Sequence, residues 1–102
     1  MHLRRALAAP GVNTTEDLAE ALNNLSLRLL DHGRHEEALA ANQESMGMRR
    51  ALAAERPVAF TARLALSLYN LTIDLSGLGR HEEALEAIQE STDLYRALAA
   101  EL

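Results

Sequence analysis

Cysteine, lysine and tryptophan are absent from this 102-residue chain, and only two tyrosines and one phenylalanine supply aromatic rings. Without cysteine there is no disulfide framework and no thiolate metal site. Scarce aromatic and β-branched residues argue against a sheet, the setting in which such side chains pack best. No apolar run is long enough for a signal peptide or a membrane span, so a cytoplasmic location with no membrane partner is the default expectation. With lysine missing, all ten bases are arginine; fifteen acids bring the net charge to −5 and the pI near 5.3. The imbalance is concentrated in residues 57–102, which hold three arginines against seven acids. That half repels a phosphate backbone, which argues against nucleic acid as a partner.

Recognisable catalytic patterns are missing as well. Nothing resembles a glycine-rich phosphate loop or a Ser-His-Asp arrangement, and His-Glu-Glu is not the His-Glu-x-x-His zinc motif. His32 and His35 straddle a turn with no carboxylate at ligand spacing, and the place of His32 is taken by Leu78 in the second half. They read as solvated surface histidines. The expectation is a non-enzyme with no cofactor and no metal.

What the chain does have is leucine and alanine, 39 residues between them. Both lose little entropy in a helix. It also repeats itself. Residues 18–56 align with 64–102 at an offset of 46 without a gap, and 23 of the 39 aligned positions are identical. The longest identical block, GRHEEAL, occurs at 33–39 and again at 79–85. A fixed period of this kind marks stacked repeats, which present a surface rather than enclose an active site.

Four main helices follow from the punctuation. The first begins after Asn13 or Thr14 as cap, carries the seam Leu18, Leu22, Leu25, Leu29, and ends near Gly33, a residue suited to a left-handed cap. The second starts at Arg34 or His35 with Glu36 and Glu37 at the positive end of its dipole, and stops before Pro57. Gly47 is a candidate kink within it. The third runs from Val58 or Ala59 to Ser76 with the seam Leu64, Leu68, Leu71, Leu75. The fourth starts at Arg80 or His81 and buries Ala84, Ile88, Ser91, Tyr95 and Leu98. Met46 and Met48 read as core filler. Short connections make neighbouring helices antiparallel. Residues 4–9 copy residues 49–54 at an offset of 45, and so read as the end of a preceding helix. The expected organisation is one repeat domain, 1–102, with a helical stub (1–10) and two repeats (13–56 and 57–102), an excerpt of a longer array.

The spacing Leu22-x2-Leu25-Ser26-x2-Leu29, Gly33, Ala38-x3-Asn42 recurs as Leu68-x2-Leu71-Thr72-x2-Leu75, Gly79, Ala84-x3-Ile88. This resembles the tetratricopeptide repeat, with leucines where that family often has aromatics. The usual period is about 34 residues; the longer one here is similar to the variety found in kinesin light chains and in many bacterial signalling arrays. The resemblance implies an all-α right-handed solenoid that binds a protein or an extended peptide in its concave groove.

At about 100° per residue, Glu20, Asn24, Leu27 and Asp31 fall opposite the first leucine seam, and Leu66, Asn70 and Ile73 fall opposite the second. The resemblance implies that these sides line the groove, that the amides of Asn24 and Asn70 hold a peptide backbone, and that Asn23 and Tyr69 flank it. The same residues also admit plainer roles: Leu27 and Ile73 packing on a neighbouring repeat, the amides bonding local backbone or water. Glu20 and Asp31 favour a basic or neutral ligand. Self-association is the alternative, because two repeats fall short of the three or so a stable array needs, and Leu94, Leu98 and Leu102 have nothing after them to cover them.

Overall fold

The computed structural model describes residues 14–101. The stub expected at 1–10 and the Asn13 cap lie outside the described residues. Four helices follow one another: α1 (Thr14–Asp31), α2 (His35–Glu55), α3 (Pro57–Gly77) and α4 (His81–Ala100). Each end falls within a residue or so of the expected one. α2 runs unbroken through Gly47, so the candidate kink there is not a break. Successive helices pack on each other, α1 on α2, α2 on α3 and α3 on α4, with a lighter contact between α1 and α3. This is the expected all-α stack of two hairpins.

Both hairpin turns are built alike. Gly33 and Gly79 adopt φ of 72° and 75°, the left-handed region that only glycine enters without strain. The amide of Arg34 donates to the Leu29 carbonyl and that of Gly33 to the Leu30 carbonyl, both at 2.9 Å. Arg80 to Leu75 (2.9 Å) and Gly79 to Ser76 (3.1 Å) repeat the pattern. These paired bonds satisfy carbonyls that a helix end otherwise leaves open. Arg34 then grips Glu37 with two hydrogen bonds, and Arg80 grips Glu83 in the same way. Gly79→Ala is expected to cost about 1–2 kcal/mol, the penalty of placing a Cβ in left-handed backbone. Thermal melting followed by circular dichroism should show it as a fall of several degrees, with Gly33→Ala falling alongside.

Between the hairpins the chain turns on one residue, Arg56, whose amide donates to the Leu52 carbonyl at 2.8 Å while Pro57 opens α3. Proline fits there because the first helical residue needs no N–H donor. α3 lies at the centre of the apolar core: Phe60, Leu64, Leu68, Leu71 and Leu75 pack with Leu39 and Ala53 of α2 and with Ala84 and Ala87 of α4. Met46 and Leu52 pack against that core, half-buried.

The expected seam of α1 is not buried. Leu18 and Leu25 are exposed, and Leu22 and Leu29 are half-buried. The corresponding leucines of α3 are all buried. The side chains are the same and the neighbours differ: α3 lies between α2 and α4, whereas among the described residues no helix covers the matching side of α1. What α1 buries is Ala19 and three polar residues, Glu16, Asn23 and Ser26. In α4, Ala84, Ala87 and Ser91 are buried, but Tyr95 is exposed and Ile88 and Leu98 are half-buried. The expected stripe therefore holds only in part, again for want of a covering helix on that face.

Candidate functional site

One hydrogen bond recurs in each hairpin. The Ser45 hydroxyl donates to the Ala19 carbonyl at 2.7 Å, and Ser91 donates to Ala65 at 2.8 Å. Serine is short enough to let the helices approach, and its hydroxyl gives the helical carbonyl a second donor beside the amide four residues on. Further up the interface the hairpins diverge, because the first is laced with buried polar groups. Arg49 of α2 is fully buried. Its guanidinium donates to the Ser67 hydroxyl (3.0 Å), to Glu16 (3.2 Å) and to Glu20. Arg63 of α3 also reaches Glu16, at 2.7 Å. Asn42 donates to the Ser67 carbonyl at 3.1 Å. Three helices are thus joined by one charged knot.

Close by, Asp74 of α3 is buried with neither carboxylate oxygen in a hydrogen bond. Burial pushes its carboxyl up to about 6, while Asn42, the His35 imidazole and the Ser26 hydroxyl draw it the other way without reaching bonding geometry. His35 is half-buried and lies against Gly77, where a Cβ would meet its Nδ1 at 2.5 Å. The solvated surface role expected of His35 is therefore corrected: the imidazole fills a space that glycine leaves open. His32 is exposed, its Nδ1 bonded to the Arg28 carbonyl at 2.9 Å.

The residues expected to line a groove fall into two groups. Leu66, Tyr69 and Ile73 form an exposed apolar strip along α3. On α1, Asn24, Asp31 and Glu20 are exposed and Leu27 is half-buried. Asn23 and Asn70 are buried, and the Asn70 amide donates to the Asn23 Oδ1 at 3.0 Å. Asn24 and Asn70 occupy equivalent repeat positions, but only Asn24 is open to solvent. Asn70 meets Asn23 of α1, whereas Asn24 makes no such contact and is exposed. The two acids are also engaged, Asp31 with Arg28 at 3.2 Å and Glu20 with Arg49. A crevice of ≈ 200 Å³ on another side was not foreseen. It opens between α2 and α4 over Leu68, Leu71 and Leu75, with Arg50 and Glu90 at its rim. Drug-sized ligand pockets run from about 300 Å³ upward, so it is small for one.

Sequence reasoning missed Asn42, Arg49 and Asp74. A signal was present: Ala38, Asn42, Ser45, Arg49 and Leu52 follow the four-three-four-three spacing of a seam, so Asn42 and Arg49 sit where apolar residues belong.

Paired antiparallel helices of equal design, stacked by a fixed offset, with no cluster of three or more metal-ligating side chains among the described residues, define a helical-repeat protein. A family model described as Tetratricopeptide repeat matches residues 18–55 and 64–99, so the chain belongs to that family. Repeats of this family generally mediate protein–protein interactions and are typically non-catalytic scaffolds. No curated protein and no solved structure matches the chain. Among the described residues no helix is long and apolar enough to cross a membrane.

Proposed function

We propose that the chain is a non-catalytic scaffold, of the kinesin-light-chain-like long-repeat kind, that binds an extended peptide segment of a protein partner along α1 and α3. The observation that carries this reading is the exposed strip Leu66, Tyr69 and Ile73 on a helix whose other sides are buried. Apolar side chains of a peptide seat against that strip, and Leu27 extends it onto α1. Asn24 supplies an open amide that donates and accepts at once, as a peptide backbone requires. Asn70 supports the groove from beneath through Asn23. Because Glu20 and Asp31 are partly neutralised by arginines, the preference for a basic ligand is weaker than charge alone implies. Apolar contact leads.

Display of random peptides on the purified protein, followed by fluorescence anisotropy on the selected sequences, tests this. Combined Tyr69→Ala and Ile73→Ala should weaken binding at least about tenfold, the loss expected from truncating exposed anchors. The melting temperature should fall only slightly, since neither side chain belongs to the buried core. Selected peptides that bind the variant as tightly as the parent would remove the groove.

Self-association is the second reading. Leu18 and Leu25 on α1 and Leu85 on α4 are exposed apolar residues remote from the strip.

A further inference from the structure

The two exposed ends of this molecule are the two halves of a joint it already contains. Leu64 is 6% exposed and its repeat mate Leu18 is 43%; Leu71 is 8% and Leu25 is 48%. On the opposite side of the joint, Leu39 is 6% exposed and Leu85 is 56%. The face of α3 that α2 covers is thus duplicated on α1, and the face of α2 that covers it is duplicated on α4, both without a covering helix among the described residues.

We propose that a second copy of this chain docks head to tail, α4 of one copy on α1 of the next, reproducing the α2–α3 joint. This rests on the self-association reading and gives it a geometry. Large apolar side chains left open on two matching faces favour a protein partner that buries both at once.

Two features of the sequence fit that occupant. The first is charge. Arg50 of α2 and Glu90 of α4 pair across the internal joint at 2.7 Å. Their counterparts are Arg96 and Glu44, the same residue types in the same roles. Neither makes an ion pair among the described residues. Stacked by the same operation, Arg96 of one copy stands beside Glu44 of the next.

The second feature is a coordinated change of polarity. Inside the chain the joint is laced by Glu16, Glu20, Asn42, Arg49 and Ser67. The matching positions of a joint between copies hold Ala62, Leu66, Ile88, Tyr95 and Ala21. Five of the six members of the knot are replaced by residues lacking charge; Arg63 alone gives way to a charged residue, Asp17, and both of these are exposed. Beside the knot Arg28 stands in the place of Asp74, and its ion pair with Asp31 (3.2 Å) enters the joint with it, as a buried charge needs its mate. One contact must adjust. His35 rests on Gly77, whereas His81 would meet Asp31, so the imidazole swings outward beside a carboxylate.

A head-to-tail contact leaves one face free at each end of a dimer, so association continues past it, to a filament or, where the rotation closes, to a ring. Sedimentation velocity of the full chain from about 5 to about 200 micromolar should show mass rising with concentration. Leu25→Glu disables the α1 face and Leu85→Glu the α4 face; both positions are exposed, so folding is retained and circular dichroism checks it. Each variant alone should be monomeric. Mixed, they should form a 1:1 dimer and nothing larger, since each supplies the face the other lacks. Arg96→Glu or Glu44→Arg should weaken association several-fold, and the two together should restore it. If Leu25→Glu still dimerises alone, the contact is isologous and the proposal fails while self-association stands. A wild-type chain that stays monomeric overturns both, and leaves peptide binding in the groove untouched.

Discussion

Arg49→Met should cost about 3 kcal/mol, the order of loss seen when one member of a buried ion cluster is removed. The reason is not that the arginine adds so much attraction. Two carboxylates converge on it, and Glu16 is itself buried. Without the guanidinium, Glu16 loses one of its charged partners, and the Ser67 hydroxyl loses its donor. Urea unfolding of wild type and variant gives the difference directly. For a domain of about 100 residues it corresponds to a fall in melting temperature of roughly 12–24 °C. A second substitution separates the causes: Glu16→Gln in the Arg49→Met background should recover part of the loss, because it discharges the buried acid. If the double variant is no more stable than Arg49→Met, the charge on the buried Glu16 is not the source of the cost.

Asp74→Asn is expected to act in the opposite direction. The carboxyl is raised from 3.8 to about 6, chiefly because burial disfavours its charged form. A raised folded value means the native state holds the proton more tightly than the unfolded chain. The stabilisation is therefore complete below about pH 4 and is lost as pH climbs through 6. By pH 7.5 a shift of about two units corresponds to roughly 3 kcal/mol relative to acid conditions. Asparagine carries no charge at any pH, so the variant should exceed wild type by about 2 kcal/mol at pH 7.5, allowing for an amide that also lacks good partners. Near pH 4 the gap should close. Differential scanning calorimetry between pH 4 and 8 reads this; parallel pH profiles for the two proteins would show that Asp74 does not titrate as its burial requires.

Helix boundaries were legible because they are written in residues with few conformational options. Gly33 and Gly79 must enter left-handed backbone, Pro57 must start a helix, and the paired acids at 36–37 and 82–83 mark positive helix ends. Burial was less legible, because it belongs to neighbours as much as to side chains. Leu18 and Leu64 are the same residue in the same pattern, and only one has a helix against it. Polar groups in the interior were hardest. Arg49 and Asp74 look solvated in a one-dimensional reading, since pairing across α1, α2 and α3 joins residues some thirty positions apart. The groove lay between these cases. Periodicity picked out Leu66 and Ile73, and the family resemblance added Tyr69, but neither could reveal that Asn70 turns inward to Asn23, because equivalent positions in unequal surroundings need not present the same atoms.

The lone residue joining α2 to α3 has a thermodynamic corollary. Arg56 offers no slack, and its amide and carbonyl are both tied into the helices on either side. The angle between the hairpins is consequently set at synthesis and not by whatever lands on them. In the peptide complex proposed above, a template already in shape gives up little disorder, so nearly all of the entropic penalty falls on the visiting segment. Stiffening that segment, by cyclisation or by a well-placed proline, is then the direct route to a tighter complex.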